Sequence, residues 1–64
     1  MENSIKSERA KKNITQEELA KKVKVSRQTI NAIEKGKTDP KLSIGINIAK
    51  ILKKKVEEIF EYEN

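Results

Sequence analysis

Between Thr15 and Lys37 the chain reads TQEELAKKVKVSRQTINAIEKGK, and its cap signals leave room only for two short helices joined by about three residues. Thr15 offers a side-chain oxygen and Glu18 follows three residues later, the spacing at which each side chain can bond the other's backbone N–H. A helix therefore starts near Gln16. Leu19, Ala20 and Val23 fall on one apolar stripe of it, while Glu17, Lys21 and Lys22 take the other faces. Ser26 is the next cap signal and opens a second helix at Arg27. There Ile30 and Ile33 point one way with Val25 below them, which leaves Arg27, Gln28, Asn31 and Lys35 on the remaining surface. Gly36 ends this helix, since a left-handed residue after a helix costs least as glycine.

Further helices flank this pair. The first spans about Ser4 to Lys12 and stops at Asn13, because asparagine tolerates the left-handed conformation better than most residues. Thr38, Asp39 and Pro40 make the next break, with Asp39 a candidate cap and Pro40 suited to a first helical turn. A fourth helix covers roughly Leu42 to Leu52. It carries Leu42, Ile46 and Ala49 on one stripe and Ile44, Ile48 and Ile51 on another. One stripe is expected on the central helix pair, and the second on the first and last helices or on another subunit. Val56, Ile59, Phe60 and Tyr62 close the chain. The expected architecture is all-α, one domain over residues 1–64. A chain this short buries only about 60% of its unfolded surface, so it needs efficient helix packing or a partner.

Charge narrows the range of partners. Fifteen Lys and Arg against ten Asp and Glu give a net +5, which favours a polyanion through counterion release. The distribution says more than the total. From Lys24 to Lys41 the positive residues are Lys24, Arg27, Lys35, Lys37 and Lys41 against Glu34 and Asp39, whereas Glu57, Glu58, Glu61 and Glu63 make the far end acidic. With neither cysteine nor histidine, disulfides, zinc sites and imidazole catalysis are excluded. No metal, cofactor or small-molecule ligand is expected. No apolar run approaches the roughly 18 residues of a membrane span, and MENSIKSERA lacks the apolar centre of a signal peptide, so a cytoplasmic protein is expected.

The SRQTINAIEKGK run, small Ala20 at the helix crossing, and apolar Leu19, Val23, Val25, Ile30 and Ile33 at their offsets resemble the phage repressor and Cro-type helix-turn-helix family. The resemblance is strongest at residues 16–35 and extends more loosely from about Ile5 to Phe60. It implies a compact five-helix, lambda-repressor-like DNA-binding domain that acts as a homodimer, with its third helix in the major groove of double-stranded DNA. Carried over by position, Arg27, Gln28, Asn31 and Ala32 take the base-reading role. Arginine suits guanine, glutamine suits adenine, and Ala32 reaches at most a thymine methyl. Gln16, Ser26, Thr29, Lys35, Lys37, Thr38 and Lys41 take phosphate-contacting roles, and Gln16 is also placed to brace residue 27. Arg9 and Glu34 match a structural ion pair between the first and third helices. Ile59, Phe60 and Tyr62 match the end of the chain that contributes to the dimer contact.

Some positions depart from the family's habit. Lys24 replaces the usual turn glycine at a cost on the order of 1 kcal/mol. Glu8 stands where relatives place a core leucine, so either the first helix is displaced or Glu8 reaches solvent or a basic partner. Gly45 replaces an alanine inside the fourth helix at roughly 1 kcal/mol unless it permits a close contact. Lys55 stands where the last helix usually has a Ser or Thr cap. Lys11, Lys12, Lys21 and Lys22 read as a solvated face. Gly36, Lys37 and Thr38 look like the end of a phosphate-binding loop but lack its upstream glycine and strand. Asn13, Ile14 and Thr15 spell a glycosylation acceptor without relevance in an unsecreted chain. The Glu17–Glu18 and Glu57–Glu58 pairs lack any nucleophile or metal ligand beside them, so no enzyme is expected. The function expected is a transcriptional regulator, a repressor on a near-palindromic operator. The alternative is an antitoxin-like or adaptor module whose protein partner matters more than DNA.

Overall fold

The computed structural model describes residues 1–61 and contains α1 (Ile5–Lys12), α2 (Gln16–Val23), α3 (Arg27–Glu34), α4 (Leu42–Leu52) and α5 (Val56–Ile59). The caps explain the boundaries. Glu18 N–H donates to Thr15 Oγ1 at 3.0 Å, and Thr15 N–H donates to Glu18 Oε1 at 3.0 Å, so α2 starts on a reciprocal cap. The bond from the Thr15 backbone N–H, then that of its side chain, holds the Glu18 carboxyl below the usual carboxylate range. A lowered folded-state value means that this cap's contribution is present at neutral pH and is lost as pH falls through that value. At α3, Thr29 N–H donates to Ser26 Oγ at 3.1 Å.

Three helices end on residues other than glycine in the left-handed region: Asn13 (φ 56°), Lys24 (φ 62°) and Lys53 (φ 57°). Lys24 therefore makes the turn that glycine would make more cheaply. Gly36, at φ 73°, follows α3 as expected.

The break before α4 differs from expectation. Asp39 and Pro40 lie outside the helix, and Lys41 occupies the cap position without a side-chain cap bond. α5 starts at Val56 with half of a reciprocal cap. Lys55 N–H donates to Glu58 Oε1 at 2.8 Å, but an ammonium group cannot accept the return bond.

Apolar side chains from every helix meet in one cluster built on Ile5, Leu19, Ile30, Ile33, Ile48, Leu52, Ile59 and Phe60, together with Ala20, Val23 and Ala49. On α4 the buried stripe is Gly45, Ile48, Ala49 and Leu52, with Ile44 and Ile51 partly buried against the cluster. The two expected stripes thus collapse into one broad face. Leu42 stays outside it at 75% exposure.

A Cβ added at Gly45 would stand 3.6 Å from Phe60 Cε2 and 3.6 Å from Pro40 Cγ, ordinary van der Waals contact. The glycine is not demanded by a close approach.

Glu8 is buried along most of its side chain and reaches Lys11 Nζ at 3.4 Å. Of the alternatives for this residue, the basic partner is the one realised. α1 packs on α4.

The chain ends meet in a way that helical periodicity could not announce. Asn3 and Phe60 form a single antiparallel bridge, with Ser4 N–H donating to Ile59 O and Glu61 N–H donating to Glu2 O, both at 2.9 Å. Asn3 Nδ2 adds a 2.8 Å bond to the Ile33 carbonyl at the end of α3. This bridge corrects the expected dimer contact. Ile59 and Phe60, each 2% exposed, are enclosed within the protomer, because the bridge draws the segment after α5 inward and the small core needs its largest ring. Tyr62, the third residue of that expectation, lies outside the described residues.

Candidate nucleic-acid interface

The first turn of α3 presents Arg27 and Gln28 to solvent, both exposed, directly after the Ser26 cap. Among the described residues neither side chain has a hydrogen-bond or ion-pair partner. Asn31 and Ala32 lie one turn further along and are half-buried. The four residues expected to read bases therefore share one side of α3, while Ile30 and Ile33 anchor its opposite side in the core.

The residues expected to hold phosphates fall into two groups. Lys35, Lys37, Thr38 and Lys41 are all exposed and follow α3 along the loop into α4. Beside them runs a groove of about 350 Å³ whose lining includes Val25, Thr29, Ile33, Thr38, Lys41 and Ile44. Ser26 caps the helix through its Oγ, and the Thr29 hydroxyl lies 2.9 Å from that of Ser26.

Gln16 differs from expectation in a specific way. It lines an open hollow of about 670 Å³ together with Arg27, yet its side chain does not bond Arg27. Gln16 Nε2 instead donates to Asn31 Oδ1 at 3.3 Å and to Glu34 Oε1 at 3.1 Å. A primary amide has two N–H donors, and both are used inside the protein. A phosphate at the start of α2 would therefore rely on the backbone N–H groups of that helix rather than on this side chain.

Arg9 and Glu34 form the expected pair. Arg9 Nε donates to Glu34 Oε2 at 2.7 Å and Nη2 donates to Oε1 at 3.1 Å, a two-point contact with side-chain exposures of 13% and 6%. Arg9 Nη1 also donates to the Ile14 carbonyl at 2.9 Å. One guanidinium thus ties α1, the loop before α2, and α3 together. The bonds from Gln16 to Asn31 and Glu34, and that from Asn3 to Ile33, have no signal in the sequence. Residues 15 and more apart carry no shared periodic signal that would link them.

The described residues contain no group of three carboxylate, histidine or cysteine side chains able to hold a metal ion, and no helix long and apolar enough to cross a membrane.

The sequence matches the family described as Helix-turn-helix over residues 5–59. It is 58% identical over 64 residues to an uncharacterized HTH-type transcriptional regulator of Methanocaldococcus jannaschii, covering all of this chain and 97% of that protein. It is 49% identical over 63 residues to an uncharacterized HTH-type transcriptional regulator of Archaeoglobus fulgidus, covering 98% of this chain and 89% of the other. The uncharacterized HTH-type transcriptional regulator YgzD of Bacillus subtilis is 41% identical over 63 residues, with 98% and 96% covered.

Proposed function

Because the chain belongs to the helix-turn-helix family of DNA-binding transcriptional regulators, which are not enzymes, we propose that it recognises a specific duplex site as a homodimer and represses transcription by occupying it. The observation that carries this reading is the unpartnered, exposed pair Arg27 and Gln28 at the first turn of α3, a helix otherwise anchored through Ile30 and Ile33. Arginine and glutamine at that place have the donor and acceptor sets that chelate guanine and adenine in the major groove. Lys35, Lys37, Thr38 and Lys41 follow as a backbone grip that sets register without reading sequence. Arg9 and Glu34 serve as the brace that holds α3 against α1.

Two copies related by a twofold axis would place their α3 helices in successive major grooves about 34 Å apart. The side chains open to a second copy are those the protomer leaves uncovered. Leu42 is the most exposed large apolar one among the described residues. The same exposed leucine favours the competing reading, an antitoxin-like or adaptor module with a different protein partner.

Selection of binding sites from random duplex DNA with the purified chain separates the readings. The expected result is an enriched inverted repeat with half-sites about one helical turn apart. A pool without enrichment, recovered with folded protein, would put the partner-module reading first.

A further inference from the structure

Glu34, Gln16 and Asn31 form a hydrogen-bond relay whose direction is fixed from its buried end. The Glu34 carboxylate, held at two points by Arg9, accepts hydrogen bonds and donates none. The Gln16 atom 3.1 Å from it is therefore the amide nitrogen, Nε2. The same nitrogen, donating again, lies 3.3 Å from Asn31 Oδ1. One carboxylate thus sets the orientation of both carboxamides in turn. Asn31 is left with its oxygen directed at α2 and its Nδ2 without an acceptor among the described residues. No buried side-chain nitrogen or oxygen among those residues lacks a partner, so Nδ2 opens to solvent.

We propose that this relay sets the base preference of Asn31, making it a donor that favours guanine over adenine at the base pair it meets. The inference rests on the reading of α3 as the DNA-reading helix. An unconstrained asparagine chelates adenine, its oxygen accepting from N6 and its nitrogen donating to N7. That geometry needs oxygen and nitrogen side by side against the base edge, and here the oxygen faces Gln16. The remaining N–H groups meet two acceptors on guanine, N7 and O6. On adenine they meet one acceptor beside the N6 donor. Gln16 and Glu34 act as positioning residues, and Asn31 is the group that touches the base.

The test measures affinity of the full chain and of its Gln16→Leu and Asn31→Ala variants for the selected site and for versions changed one base pair at a time. In the wild-type chain, one position per half-site should favour guanine over adenine by about tenfold. Gln16→Leu should shift that position toward adenine and leave the positions read by Arg27 and Gln28 unchanged, while Asn31→Ala should erase the preference there. An unchanged preference in Gln16→Leu, or an equal loss on every sequence in both variants, would overturn the proposal, the latter by making these residues phosphate contacts. If the random pool yields no preferred site, the regulator reading fails separately, and the relay is judged in the free protein. Slower water exchange of the Gln16 Nε2 protons than of those on exposed Gln28 supports the relay, and equal exchange overturns it.

Discussion

Phe60→Ala is expected to remove about 3–5 kcal/mol of folding stability, the usual cost of emptying a fully buried phenylalanine site. A domain of this size holds roughly 3–10 kcal/mol in all, so the variant should be partly unfolded at room temperature. The size of the effect follows from where the ring lies: 2% exposed, against Gly45, on a segment held to Asn3 by the single bridge. Urea unfolding followed by circular dichroism measures it. A midpoint close to that of the wild-type chain would contradict the placement of Phe60 in the protomer core. It would return the residue to a surface role such as the dimer contact first expected of it.

Removing one partner of the Arg9–Glu34 pair should cost nearly as much. Arg9→Ala leaves a carboxylate that is 6% exposed with Gln16 as its remaining donor, and it frees the Ile14 carbonyl. Breaking a buried pair from one side costs about 3–5 kcal/mol, because the desolvated charge that remains has lost its compensation. The partial exposure of Arg9 puts the expectation at the lower end, about 3 kcal/mol. Joint replacement, Arg9→Met with Glu34→Leu, should recover most of the loss, since no uncompensated charge is left. A loss below about 1 kcal/mol in Arg9→Ala would class the pair with exposed ion pairs.

The parts of this fold that were legible in the sequence are those governed by local rules. Thr15 with Glu18, Ser26, Asn13 and Gly36 each announce a helix end through chemistry that acts over three or four residues, and the structure places the ends there. The apolar positions of α2 and α3 followed from the helical period, and the family's pattern identified Arg9 and Glu34 as partners. What escaped depends on contacts remote along the chain. Leu42 belongs to an apolar stripe by spacing, yet as the first residue of α4 it stays exposed while Ile44 and Gly45 beside it reach the core. Phe60 looked like an interface residue until the bridge to Asn3 drew it inward. The bonds of Gln16 to Asn31 and to the buried Glu34 carboxylate had no local signal either. In each case the deciding neighbour lies 15 or more residues away, or on a face that periodicity alone leaves ambiguous.

Base reading by Arg27 and Gln28 on α3 is checked by comparing the affinities of the wild-type chain, Arg27→Ala and Gln28→Ala on the selected duplex and on random duplex at one salt concentration. Each substitution should weaken binding to the selected site by roughly ten- to a hundredfold and leave binding to random DNA much less affected, because a good base contact discriminates by about 1–3 kcal/mol. An equal loss on both duplexes would contradict base reading and make these side chains part of the phosphate grip.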